Sequence, residues 1–152
     1  MIQVSETSRI LKSLMDGVAM SLQHVIPIPY EIKGTRRVDQ SLHLHFGVLI
    51  GFVGDLKGKL VLTADGYVFS SIGEVMFGMS IGEEMLPSFS GELGNIIAGN
   101  LITNIKDPSI QLDITAPTII QGDTKLSGYK SALQTVTEFH NTGRLNLYFL
   151  ID

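Results

Sequence analysis

One segment of the sequence, PSFSGELGNIIAGNLITNI at residues 87–105, combines a helical apolar period with a stripe of small and polar residues. At 100° of rotation per residue its large apolar residues share one arc, which predicts a helix that packs this side against a core. They are Leu93, Ile96, Ile97 and Leu101. The opposite flank should face solvent, and its residues are Ser88, Glu92, Asn95, Gly99 and Thr103.

Two chemically distinct groups stand side by side on this stripe. Glu92 and Asn95 are three residues apart, so their carboxylate and amide project from one helix face. Gly99 lies on the same face, although glycine in a helix interior costs about 1 kcal/mol relative to alanine. A missing side chain at that position leaves room for another surface to approach. The alternative is that Glu92 is only a solvated surface charge, as its residue type alone would favour.

The Glu-x-x-Asn spacing is common, and the chain contains it twice. The second instance, Glu138 and Asn141, falls in a predicted hairpin turn and is expected to be incidental. Asn100, near the apolar arc, is expected to be a buried amide that is hydrogen-bonded to the backbone.

The residues before this segment predict a helix, three strands and a second helix. The predicted bounds are 5–25 and 65–77 for the helices and 30–38, 42–53 and 59–63 for the strands. Ser5 is placed to cap the first helix and Pro27 to end it. Gly78 suits the left-handed position that closes the second helix. A Gly54-Asp55 step predicts a hairpin between the second and third strands.

The residues after the segment predict three further strands, at 112–121, 132–139 and 144–151. An Asn-Thr-Gly turn at 141–143 joins the last two. The order is therefore a helix, three strands, two helices and three strands, which predicts an α+β fold in which two β-β-β stretches flank the central helices. We assign residues 1–152 to a single domain, because a chain of this length can bury one core.

Composition narrows the chemistry. The chain has no cysteine, which excludes disulfides, thiolate metal sites and cysteine nucleophiles. The net charge is −4 and the cationic residues are scattered, so nucleic acid is not an expected partner. No apolar run approaches the roughly 18 residues of a membrane span, and the first twenty residues are too charged for a signal peptide. We expect a soluble cytoplasmic protein that does not bind membranes.

The four histidines suggest one alternative chemistry. His43 and His45 are two residues apart in a predicted strand and so share a face, as two ligands of a metal site would. No third ligand is apparent in the sequence, and we expect no metal site. His24 and His140 are expected at the surface, near a helix end and a turn.

Two segments resemble the CheX/CheC/FliY phosphatase family. Residues 92–100, ELGNIIAGN, are similar to that family's helix motif of E-x-x-N followed by a small, apolar stretch and G-N. Residues 51–62, GFVGDLKGKLVL, look like the hairpin before its first central helix. CheC is described by two such motifs on pseudo-symmetric helices, whereas the first helix here has Glu6 followed by Arg9. The single motif resembles the CheX type.

The resemblance implies a CheC-like domain that removes the phosphoryl group from the aspartyl phosphate of a CheY-type response regulator. It implies that Glu92 pairs with the regulator's active-site lysine. From their places on the stripe, we expect Ser88 and Gly99 to lie at the same contact. A neutral amide can hold a water in line with the phosphorus without repelling the phosphate, a role that fits Asn95. The Mg²⁺ ion and the other cationic groups are expected on the regulator, so no cofactor is expected on this chain.

Two other functions stay open at this point. A CheC-like module could bind a regulator or a flagellar switch component without hydrolysis, because fold does not fix activity. A metal-dependent hydrolase would instead use His43 and His45. We also predict a homodimer, from the resemblance, from a mean hydropathy of +0.27 and from the apolar strand at 144–151, whose edge would be hazardous if left open.

Overall fold

The structure, a computed structural model, describes residues 2–38 and 41–152, which form three helices and seven strands. The helices are α1 (Ile2–Val25), α2 (Gly66–Phe77) and α3 (Leu86–Thr103). The strands are β1 (Tyr30–Val38), β2 (Leu42–Gly54), β3 (Gly58–Thr63), β4 (Leu112–Ile114), β5 (Thr118–Leu126), β6 (Ser131–Phe139) and β7 (Gly143–Ile151). The predicted α+β class is confirmed, and strands precede and follow the two central helices along the chain.

The strand predicted at 112–121 is in fact two strands, so the second stretch holds four strands. β4 and β5 lie end to end along the same side of β2, where Ile114 pairs with Phe52 and Thr118 with Leu49. The residues between them include Pro117, which cannot donate a backbone hydrogen bond to a ladder. The break therefore follows from the proline.

All strand pairs are antiparallel, and the order across the sheet is β1-β6-β7-β3-β2-β4, with β5 also paired to β2. β7 lies between β6 and β3, so both of its sides are hydrogen-bonded. The prediction that the strand at 144–151 offers an open edge is wrong. In the part of the chain that the structure describes, the free edges belong to β1 and to β4 and β5.

The three helices cover one face of the sheet and enclose the main core. Alternate residues of β7 point into this core, among them Leu147 and Phe149, which are fully buried. A smaller apolar cluster around Tyr148 and Leu150 lies on the other face. β2 contributes Leu44 to the smaller cluster and Val48 to the main core, and its pairing with β5 is irregular between Leu44 and Phe46.

The helix ends agree only in part with the sequence. α1 begins at Ile2, so Ser5 lies inside the helix and the prediction that it caps the helix is wrong. Gly78 closes α2 as predicted, with φ 70° and its N–H donated to the carbonyl of Glu74 at 2.8 Å. α1 also supports α3 directly, since the Ser21 hydroxyl donates to the Ile97 carbonyl at 2.8 Å.

Candidate functional site

Two glycines on the inner side of α3 bring the helix directly onto the sheet. A Cβ atom at Gly94 would lie 2.8 Å from Cγ1 of Val48 in β2. A Cβ atom at Gly91 would lie 2.8 Å from Cδ1 of Ile119 in β5. We did not single out these residues from the sequence, although two small residues three positions apart and outside the polar stripe were a visible signal. The close approach fixes α3 on a rigid support.

The polar stripe of α3 faces outward, as its spacing predicts. Ser88, Glu92, Asn95 and Thr103 are exposed, and Gly99 is half-buried. Within the described part of the chain, the side chains of Glu92 and Asn95 make no hydrogen bond or ion pair. A carboxylate and a neutral amide thus stand together on a fixed helix with their bonding capacity free for another molecule.

Gly99 differs from the other glycines of α3. A Cβ atom built there would meet no atom within 4 Å. The nearby Thr103 hydroxyl donates a hydrogen bond to the Gly99 carbonyl of the same helix at 3.0 Å. Nothing in the described fold requires glycine at position 99, so the bare backbone is open to an approaching surface.

Two predictions about α3 are wrong in detail. Ile96 is 36% exposed and is not part of the core arc. Residues such as Leu93 and Ile97 make the contacts of α3 with the core. Ile96 lies outside this contact area. Asn100 is half-buried, and its amide oxygen accepts a hydrogen bond from Nδ2 of Asn104 at 2.7 Å instead of bonding to the backbone.

Apolar side chains lie exposed beside the stripe, a feature that the sequence reading missed. Phe77 ends α2, Met79 lies in the connection to α3, and Met85 immediately precedes α3; all three are exposed. The Phe77 ring packs edge-on against Phe89 of α3, with ring centroids 5.7 Å apart. The helical pattern at 65–77 predicts that Phe77 belongs to a helix, but it does not predict that the side chain is exposed.

The histidines lie on other elements. His43 and His45 are exposed on β2, and Nδ1 of His45 is 2.5 Å from a carboxylate oxygen of Asp123 in β5. No group of three potential ligands among His, Asp and Glu occurs in residues 2–38 and 41–152. The backbone N–H of His140 donates to the Pro29 carbonyl at 2.8 Å in the predicted turn. The second Glu-x-x-Asn match spans the end of β6 and that turn, as expected.

Solved structures of chemotaxis proteins have the same fold. The crystal structure of a chemotaxis protein CheX from Desulfovibrio desulfuricans superposes with a TM-score of 0.78, at 15% identity over 95% of this chain and 99% of that one. A CheX–CheY–BeF₃–Mg²⁺ complex from Borrelia burgdorferi gives 0.71, at 19% identity over 93% of this chain and 96% of that one. The fold is therefore that of a CheC-like domain.

Sequence comparison identifies the family. Residues 46–140 match the family model described as chemotaxis phosphatase CheX. The CheY-P phosphatase CheX of Thermotoga maritima is 30% identical over 132 residues, which cover 80% of this chain and 82% of that protein. The chain belongs to the CheX family, and the resemblance noted from residues 51–62 and 92–100 is confirmed. No helix among the described residues is long and apolar enough to cross a membrane.

Proposed function

We propose that this chain hydrolyses the aspartyl phosphate of a CheY-type response regulator. The observation that carries the proposal is the pair Glu92 and Asn95, whose side chains are exposed on α3 and bond to none of the residues that the structure describes. Family membership supports it, as do a relative named CheY-P phosphatase CheX and the fold shared with a CheX–CheY complex.

Asn95 orients the attacking water in this proposal. Its amide can both donate and accept a hydrogen bond, and it has no charge to oppose the phosphoryl group. The water oxygen forms a bond to phosphorus as the bond to the aspartyl oxygen breaks, giving inorganic phosphate and the free aspartate. Since phosphoryl transfer depends mostly on positioning, one well-placed amide is a sufficient contribution.

Glu92 docks the partner. An exposed carboxylate is a weak base, and its negative charge would oppose the phosphate if it acted on the water. We infer that Glu92, one turn from Asn95, pairs instead with the active-site lysine of the regulator and so fixes the register of docking. Ser88 and Gly99 flank the pair along the stripe, and the open backbone at Gly99 allows close approach.

We propose that the metal ion belongs to the regulator and that this chain needs no cofactor of its own. The residues present do not fit a metal site, because the described chain brings no three carboxylate or imidazole ligands together. We further propose that the chain acts in the cytoplasm, where response regulators work, and that it forms a homodimer.

The direct test is a phosphatase assay against the CheY-type regulators of the same organism, with free Mg²⁺ present. Sub-stoichiometric amounts of the chain should shorten the lifetime of at least one phosphorylated regulator. Binding without any change in lifetime would favour the non-catalytic module. Loss of activity on removal of a metal other than Mg²⁺ would favour the hydrolase based on His43 and His45.

A further inference from the structure

Three large apolar side chains are exposed between the end of α2 and the start of α3. Phe77 is 56% exposed, Met79 54% and Met85 48%, and we call these three residues the connector patch. Such side chains are normally buried, and neighbouring exposed ones mark surfaces that contact another molecule. Methionine is also the apolar residue that adapts most readily to a partner's shape.

The connector patch is held in place by the core. Phe77 packs edge-on against Phe89. Ile81, in the middle of the connection, is buried against Gly73 of α2, where a Cβ atom would lie only 2.5 Å from its Cγ1. The Met85 carbonyl accepts the Phe89 N–H at 2.9 Å. These contacts fix the connection, so its exposed side chains are presented on an ordered backbone.

The connector patch is continuous with the polar stripe. At 100° per residue, Met85 lies about 20° and Ile96 about 40° from the direction of Glu92 around α3. Both are exposed, and both lie on the flank of the stripe that faces α2. A surface that contacts Glu92 and Asn95 therefore has apolar side chains immediately beside it.

We propose that the connector patch, extended by Ile96, is the apolar half of the surface on which the phosphorylated response regulator docks. This inference rests on the proposed function. The regulator surface it requires is an apolar area next to the lysine that Glu92 engages.

Charge favours the regulator over a second copy of this chain as the occupant. Glu83 and Glu84 are exposed in the connection between α2 and α3. Glu92 is also exposed, eight residues after Glu84 along the chain. A two-fold contact through the connector patch would bring these carboxylates against their own symmetry mates, which is unfavourable. A partner with a cation beside an apolar area matches both features.

The connector patch should contribute to affinity and not to the chemical step. Contacts made equally in the ground state and the transition state lower KM and leave kcat unchanged. Asn95 is expected instead to raise kcat and to contribute little to affinity.

The test uses the full chain with Met79→Gln and Met85→Gln combined, which keeps side-chain length while removing apolar surface. The matched control is Val75→Gln, because Val75 is 51% exposed on a different side of α2. Both proteins are titrated with a CheY-type regulator activated by beryllofluoride and Mg²⁺, and steady-state dephosphorylation gives kcat and KM. Thermal unfolding checks that each variant is folded.

We expect the double glutamine variant to raise both Kd and KM at least tenfold with kcat unchanged. A Met79→Leu, Met85→Leu protein, which keeps the apolar surface, should have the affinity of the wild type. The control should bind like the wild type. If the double variant binds like the wild type while Glu92→Lys does not, the connector patch is not part of docking and the proposed function survives. Lost self-association with unchanged regulator affinity would instead assign it to a second copy. A wild-type chain that neither binds nor dephosphorylates any regulator overturns both proposals.

Discussion

At the scale of single residues, the glycines of α3 fall into two kinds. Gly91 and Gly94 sit where a Cβ atom would strike the sheet, whereas the space at Gly99 is open. The sequence points to Gly99 through its cost in a helix, but only the structure shows that no contact among the described residues explains it.

Alanine at these positions should have opposite effects on stability. Gly99→Ala should raise the free energy of unfolding by up to about 1 kcal/mol, the difference in helix propensity. Gly94→Ala, on the same helix, should lower it by about 1–3 kcal/mol, because the new methyl group overlaps Val48. Urea unfolding followed by circular dichroism measures both. A destabilised Gly99→Ala protein would mean that the fold itself requires glycine there.

Charge reversal at Glu92 tests its docking role. Glu92→Lys should weaken binding of the activated regulator at least tenfold, since a lysine would then oppose a lysine. Glu74→Lys makes the same change in net charge at an exposed position of α2 and serves as the control. Isothermal titration gives both affinities. Equal affinities for the two variants would show that Glu92 is an ordinary surface charge.

At the scale of elements, local patterns predicted type better than arrangement. The helical period at 65–77 and 87–105 and the turn signals at 54–58 and 141–143 are short-range, and the structure has these elements. The place of β7 inside the sheet depends on pairing with β3, more than eighty residues earlier, which periodicity does not encode. The polar stripe was predictable because it also follows from the short-range helical period. The exposure of Ile96 was not, because it depends on where the neighbouring elements end.

Strands β6 and β7 share a polar network on the face away from the helices. Nε2 of Gln134 donates to the Tyr148 hydroxyl at 2.9 Å, and Nε of Arg36 donates to Oε1 of Gln134 at 2.7 Å. Burial raises the pKa of Tyr148, an effect that the nearby Arg36 charge and the Gln134 hydrogen bond only partly offset. The folded state therefore favours the protonated phenol.

This shift predicts a loss of stability at alkaline pH. With the folded pKa above the unfolded value of about 10, the contribution of Tyr148 is complete below that pH and is lost as pH rises through the folded pKa. Tyr148→Phe should be less stable by about 1 kcal/mol at pH 7 and should lose stability less steeply above pH 10. Tyr67→Phe, at an exposed tyrosine, should keep the wild-type slope. Parallel slopes for all three proteins would contradict the assignment.

At the scale of the whole molecule, the free sheet edges limit how two copies can join. β7 is not available, so a shared sheet would have to use β1 or the β4 and β5 side of the described chain. β1 carries Lys33, Arg36 and Arg37, and charged side chains of this kind oppose edge pairing. A homodimer formed through the sheet is therefore expected at the edge of β5.

Sedimentation equilibrium at micromolar concentration tests the association. We expect a mass twice the 16.6 kDa of the chain, and a Thr118→Pro variant, at an exposed position of the β5 edge, should shift it toward the monomer. Circular dichroism of this variant must retain the wild-type strand signal. A single 16.6 kDa species for the wild type would contradict the dimer.

The most direct test of the central claim is the single-turnover dephosphorylation rate of a regulator by Asn95→Ala, at saturating concentrations of the chain. Loss of one positioning amide should slow the rate by about 10²-fold or more while docking stays nearly intact. Asn100→Ala makes the same substitution on the same helix at a residue whose amide is bonded to Asn104, and it should keep the wild-type rate. An Asn95→Ala protein that dephosphorylates its regulator at the wild-type rate would contradict the proposed role of Asn95.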